Sequence, residues 1–443
     1  MSSYAMAWPQ HLPEPLLDAS YKGYPLGAPP CAVGAVGEQG WNLLNGDLPL
    51  PLAVLDEAAL AHNLAWMQAY AARKGVWLAP HGKTTLSPQL CARQLAAGAW
   101  GLTFASVWQA RLGVACGAQR LIIANQVLQP HDLDALVALH RQCPQVRVWF
   151  LVDSLAQVAC IEAWARQRGD LAPRDALPVL LEMGASGQRC GCRTLQEGLA
   201  LAHAIHASAV LRLEGIECYE GLAARCDSAH DAEAVTHLVR NVVALARAVD
   251  AAGWWAPQAE GLVLTAGGSA VFDLVLPLLQ LQGLSRPVQG VLRSGCYVTH
   301  DHGNYRRYLD LLCQREGLDA RQALRPALTV WALVQSVPEP GFALLNAGRR
   351  DVSYDIDLPV PVQRAAAGQR QWQAVPSDWR IVALNDQHAH LRFDPASAPA
   401  GWPQVGERVM LGISHPCTTF DKWRWMPVVD AHSCVSSAIH TCF

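Results

Sequence analysis

Lysine is scarce in this 443-residue chain. Of 34 Lys and Arg residues only Lys22, Lys74, Lys83 and Lys422 are lysine. Arginine cannot give up its proton at ordinary pH, so chemistry that needs a neutral amine has only these four positions to use. Long apolar runs are also missing, and none approaches the roughly 18 to 20 residues of a membrane span. The opening MSSYAMAWPQHLPEP lacks the charged start and unbroken apolar core of a secretory signal. A formal net charge of −3 leaves no basic face for nucleic acid. Fourteen cysteines are present, but they are scattered without framework spacing. Together these absences predict a cytoplasmic protein with reduced thiols and with neither membrane nor nucleic acid as partner.

What is present is a chain 51% hydrophobic and 16% charged, ample for a large core. Residues 1–45 are rich in proline and read as an N-terminal extension packing on a later domain. From Leu52 the pattern becomes regular. Leu52–Leu55 reads as a lead-in strand, followed by a helix that Asp56 caps and Gly75 ends. Eight strands then alternate with helices: Val76–Ala79, Leu102–Thr103, Leu121–Ala124, Val146–Val152, Val179–Met183, Leu211–Glu217, Leu262–Thr265 and Val288–Leu292. Ser87-Pro88, Ser154 and Thr194 are helix starts between them, and Val271–Leu281 reads as the helix after the seventh strand.

No glycine-rich phosphate loop follows the first strand, which disfavours a doubly wound sheet. The expectation is α/β: a (β/α)8 barrel over residues 46–320, followed by a mostly-β domain over residues 321–443.

A barrel of this kind places its site at the C-terminal ends of the strands. Pro80-His81-Gly82-Lys83-Thr84 follows the first strand, so Lys83 is expected there, buried, with a lowered pKa and able to join an aldehyde cofactor. The competing reading is a surface lysine. After the seventh strand, Thr265-Ala266-Gly267-Gly268-Ser269 leads into the expected helix and suits an anion, although a plain turn has the same sequence. An amine for an aldehyde and a helix start for a phosphate are the two anchors of pyridoxal phosphate. Arg189, after the fifth strand, and Tyr219, after the sixth, could meet its phenolate oxygen and ring edge, or could simply satisfy the backbone. Cys190 and Cys192 read as structural. His300 and His302 could bind metal or be solvated loop histidines. His415-Pro416-Cys417, if extended, places an imidazole and a thiol on one face, which suits an open zinc site as well as it suits chance.

Read in order, PHGKT (80–84), QRCG (188–191), AGGS (266–269) and HPC (415–417) resemble the D-serine dehydratase and D-threonine aldolase family. These are pyridoxal phosphate enzymes built like alanine racemase. The resemblance implies that Lys83 carries the cofactor, that Arg189 contacts it, and that Tyr219 lies near its pyridine. It also implies that Gly267, Gly268 and Ser269 receive the phosphate, with His81, Thr265 and Tyr297 completing the cofactor set. His415 and Cys417 resemble the metal pair, and cysteine in that pair points to zinc and to the dehydratase branch, where the aldolase branch has aspartate.

Ala79 stands where the family has arginine, and Asn346-Ala347-Gly348 replaces Asp-x-Gly. The longer chain resembles the bacterial amino acid deaminases. The implied activity is deamination of a D-3-hydroxy amino acid to a 2-oxo acid and ammonia by a homodimeric lyase. Retro-aldol cleavage to glycine and an aldehyde is the alternative, and a non-enzymatic carrier of the cofactor stands behind both.

Overall fold

A computed structural model describes Pro9 and residues 12–259, 261–396 and 401–443. The first residues of the N-terminal extension lie outside the described residues. The chain divides into two compact units: residues 67–83 and 94–295 form one, and residues 1–66, 84–93 and 296–443 form the other.

The first unit is a parallel barrel. Its strands are β1 (Trp77–Leu78), β2 (Leu102–Phe104), β3 (Arg120–Gln126), β4 (Arg147–Val152), β5 (Leu177–Met183), β6 (Leu211–Cys218), β7 (Leu262–Ala266) and β8 (Val288–Leu292). β8 pairs with β1, and the remaining strands follow in sequence order. Trp100 and Thr103 bring the ring to closure, donating their backbone N–H to Leu78 and Pro80 at 2.8 and 2.9 Å. The interior is filled by side chains from many strands: Ala79, Ile122, Trp149, Leu151, Leu180, Val263 and Val291, with Trp100 stacked on Trp149 at 5.6 Å. Each large apolar side chain buried this way contributes about 1.5–3 kcal/mol.

The sequence signals for helix starts hold locally. Ser154 Oγ accepts from Gln157 N at 3.3 Å, and Thr194 and Glu197 form a reciprocal capping box. The expected helix Val271–Leu281 does not form; only Leu276–Leu279 is helical. Pro277 explains this, because it lacks an N–H and its ring would collide with the carbonyl four residues earlier.

The second unit is antiparallel, with strands including Leu328–Glu339, Phe342–Leu345, Val360–Ala365, Arg380–Leu384, Ala389–Arg392 and Arg408–Gly412. A hairpin of Trp425–Val429 and Val435–His440 joins them. Leu52–Asp56, read from the sequence as a barrel lead-in, instead pairs antiparallel with Leu328–Trp331 of this sheet. Its Leu52, Ala53, Val54 and Leu55 are all buried, as a strand covered on both faces requires. Within this unit the turn Val33–Gln39 lies against Val435–His440, and Val435 N donates to Trp41 O at 2.8 Å. Among the described residues no helix is long and apolar enough to cross a membrane.

Candidate active site

In the barrel unit the candidate residues gather where the strands end. Lys83 lies in the turn Gly82–Thr84 after β1. Gly82 is required there, since a Cβ would come within 2.4 Å of the buried Phe104 ring. The expectation of a buried Lys83 is corrected: its side chain is exposed, with no hydrogen bond or ion pair among the described residues. A short turn, in place of a continued strand, carries it clear of the apolar interior.

His81 continues the β1 edge by bridging to Thr103. Its Nδ1 is buried without a partner among the described residues. Burial first, and then the positive charges of Lys83, Arg293 and Arg189, hold the imidazole well below its ordinary pKa, hence neutral. Three positive charges thus act on one ring.

Arg189 stands 5.1 Å from the centre of the Tyr219 ring. Tyr219 in turn needs glycine at its neighbours: a Cβ on Gly268 would meet its Cε2 at 2.8 Å, and one on Gly221 its hydroxyl at 2.5 Å. Thr265 Oγ1 accepts from Arg293 Nη1 at 2.9 Å. Arg189, Tyr219 and Gly268 are thus neighbours, as are Arg293 and Thr265, while the charges of Lys83, Arg293 and Arg189 act on His81.

The sequence reading gave no role to Arg293, which binds this group together. It is buried at the end of β8 and donates to Glu217 Oε1 at 2.5 Å and Cys218 O at 3.1 Å. An arginine directly after an apolar barrel strand was the available signal.

The diglycine departs from expectation more sharply. No helix follows it, and its N–H groups are already engaged: Gly267 N donates to Glu220 Oε2 at 3.0 Å and Gly268 N to Glu220 Oε1 at 2.6 Å. Glu220 is fully buried, and burial raises its pKa. The N–H groups expected to meet a phosphate are thus taken by a carboxyl of the chain itself. Gly267, at φ +91°, is in the left-handed region that the turn requires.

Glu217 is also fully buried. Its carboxyl is pushed up to about 8, by burial first and then by Glu182 and Glu220, with Arg293 pulling the other way. From the ordinary carboxyl range up to that value the folded chain keeps a proton the unfolded chain has lost. Stability should therefore fall as pH rises through this window. Glu217→Gln keeps an acceptor for Arg293 and is expected to flatten that fall. Urea melts of the cofactor-free protein between about pH 5 and pH 8 check this, and parallel slopes for the two proteins would refute it.

The residues fit pyridoxal phosphate in two respects. The partnerless Nδ1 of neutral His81 and the three cations around it suit an aromatic anion, and Lys83 is an uncommitted amine. The phosphate end fits only if Glu220 gives way.

In the second unit His415 and Cys417 are not on an extended strand. Pro416 is helical and Cys417 opens the short helix Cys417–Phe420. His415 Nδ1 lies 2.6 Å from Asp355 Oδ2, and Thr418 Oγ1 donates to Asp355 Oδ1 at 2.6 Å. Burial works against the charge on Asp355, yet the hydrogen bonds from Thr418 and His415 hold its carboxyl below the ordinary value. A carboxylate on Nδ1 fixes the ring and frees the other nitrogen, the usual support of a metal-binding histidine.

The Cys417 thiol sits 3.6 Å from Cys296 Sγ and 3.6 Å from Thr84 Oγ1. An imidazole and a thiol are donors of the kind zinc takes, and two of them would leave positions for further ligands. The one group of three candidate ligands within 4.8 Å among the described residues is a different one, Asp153, Glu182 and Cys190, in the barrel unit. Tyr297 belongs to the second unit, buried in the turn Cys296–Val298. His300 is buried and His302 half-buried, and burial pushes them down to about 3 and about 4. All fourteen cysteines are free, and Cys192 is buried with its thiol pushed up to about 12.

Residues 55–270 match the family model "Alanine racemase, N-terminal domain", and residues 327–429 match "Putative serine dehydratase domain". Among characterised proteins, the D-threo-3-hydroxyaspartate dehydratase of Delftia sp. (strain HT23) is 27% identical over 383 residues, covering 84% of this chain and 92% of that protein. The D-threonine aldolase of Arthrobacter sp. is 27% identical over 372 residues, covering 84% and 86%. The crystal structure of D-threonine aldolase from Filomicrobium marinum superposes with a TM-score of 0.70 at 23% identity, over 91% of this chain and 96% of that one.

Proposed function

From the matches to an alanine racemase N-terminal domain over residues 55–270 and a serine dehydratase domain over residues 327–429, we propose that this chain belongs with the enzymes that pair these two domains and deaminates D-3-hydroxy amino acids. It is a lyase of the pyridoxal phosphate type, with zinc as second cofactor. Elimination of water between Cα and Cβ, then hydrolysis of the enamine, yields a 2-oxo acid and ammonia. The observation that carries this reading lies at the strand ends of the barrel: the uncommitted Lys83 amine in the turn after β1, with the neutral His81 ring and the buried Arg293.

When bound, pyridoxal phosphate takes up the electron pair left at Cα, and zinc acts as a Lewis acid on the 3-hydroxyl. Lys83 Nζ holds the cofactor and moves the α-proton. Neutral His81 offers a flat ring without adding charge. Arg189 would meet the phenolate oxygen and Tyr219 the pyridine. Arg293, anchored on Glu217 and Thr265, keeps the floor of the site cationic. Gly267, Gly268 and Ser269 would hold the phosphate, for which Glu220 would have to release the two N–H groups it accepts from. His415 and Cys417 hold the zinc, with Asp355 orienting the imidazole.

Retro-aldol cleavage is the second reading, favoured by the aldolase relative, which matches at the same 27% identity as the dehydratase. The thiol at Cys417 is what tips the choice to deamination, since a carboxylate there would suit a harder ion. A panel of D-serine, D-threonine and D-3-hydroxyaspartate separates the two. Ammonia and 2-oxo acid are expected; glycine and an aldehyde as main products would overturn the proposal. A homodimer in the cytoplasm is part of the same proposal.

A further inference from the structure

The barrel unit has a cavity at the opposite ends of its strands from the cluster around His81. It measures about 710 Å³ and is walled by residues that open strands: Arg120 of β3, Arg147 of β4 and Arg212 of β6. Arg141 and Arg174 also line it, so it gathers five arginines against the carboxylates of Asp175 and Glu214. This is a marked concentration of positive charge in a chain of net charge −3.

Both carboxylates are already committed. Asp175 grips Arg141 with two bonds of 3.1 and 2.8 Å. Glu214, 2% exposed, accepts from Arg147 Nε at 3.0 Å and from Trp149 Nε1 at 2.8 Å. Arg120, Arg174 and Arg212 are left without an ion pair among the described residues. Arg212 Nε and His140 Nε2 are buried with no hydrogen-bond partner. Burial, and then Arg212 and Arg147, push His140 down to about 4, so it adds no charge but shares the same field.

Two guanidiniums held by carboxylates, three without an ion pair and two buried nitrogens without a partner among the described residues make an electropositive cavity. Guanidinium forks match phosphate oxygens two at a time. Three unpaired forks exceed what one phosphate or carboxylate can use, and the volume is in the range of pockets for small organic ligands.

We propose that this cavity binds a small organic anion carrying two or more phosphate groups, at a site separate from the one around Lys83. Calorimetric titration of the protein as purified with its cofactor tests this, using inorganic pyrophosphate and ADP as probes at low salt. Saturable binding of at least one probe is expected, one per chain. Tighter ADP binding would show that the cavity also accepts the nucleoside, and equal affinity that it reads phosphates alone.

Arg212→Gln and Arg120→Gln should each weaken binding tenfold or more, while Arg189→Gln, at the other end of the barrel, should leave it unchanged. Arg120 is exposed, so its variant keeps the test valid if loss of Arg212 disturbs folding; melting temperatures without probe check this. No saturable binding would overturn the proposal. So would affinities that both cavity variants leave within twofold, or that fall with Arg189→Gln.

Discussion

Lys83→Ala is expected to lower turnover by about 10²- to 10⁴-fold, the range in which a missing proton-transfer group leaves an enzyme. The chain offers no replacement. Lys22 is held by Asp351 Oδ1 at 3.0 Å and lies over the Trp423 ring, in the other unit. Lys74 stands over Tyr70 just past the end of a helix. Arginine, however close, keeps its proton. The measurement has two parts. Borohydride treatment of the wild-type protein should leave the cofactor covalently on residue 83, read by peptide mass, and the variant should carry no such mass at any lysine. The variant should nevertheless keep its melting behaviour, because the Lys83 side chain is exposed and makes no contact that folding depends on. Activity within tenfold of wild type would remove Lys83 from the chemistry.

The exposure of that lysine marks where sequence reasoning reached its limit. Strand ends were legible because burial on both faces forces continuous apolar runs, and a parallel barrel repeats them. All eight barrel strands fall where such runs do. Helix starts were legible through Ser154 and Thr194, whose hydroxyls have few other uses beside a helix.

Proline obscured the rest. Val360–Ala365 carries Pro361 and Trp425–Val429 carries Pro427, a residue that argues against a strand interior. The sheet tolerates the first at a register shift between Pro361 and Gln363. It tolerates the second because Leu52–Asp56 bonds only to Val428 and Val429. The partner of Leu52–Asp56 was likewise out of reach, since pairing with Leu328–Trp331 joins residues far apart in sequence.

Within the site, residue types were readable and their partners were not. Gly267 and Gly268 announce an anion, but nothing local says that Glu220 supplies it. His415 announces a ligand, while its orienting carboxylate, Asp355, lies 60 residues earlier in the chain.

That carboxylate gives the second large effect. Thorough chelation should abolish deamination while leaving the cofactor on Lys83, since no residue of the proposed metal site is needed to hold it. Removing Lewis-acid help of several kcal/mol corresponds to a loss on the order of 10³-fold, at 1.36 kcal/mol per decade. Cys417→Ala should reproduce the loss permanently, and zinc should restore the chelated wild type but not the variant. Asp355→Asn should be graded. The imidazole keeps its nitrogen but loses the charge that fixes its orientation, so metal affinity should fall about 10- to 100-fold, with activity returning as zinc is raised. The gradation decides between two origins of the His415–Asp355 contact. A surface ion pair contributes little and its removal would leave zinc affinity unchanged, whereas a ligand held in place for a metal would show the shift. Full activity in chelated protein, with zinc shown absent by elemental analysis, would detach His415 and Cys417 from catalysis and leave the barrel cluster to act without a metal.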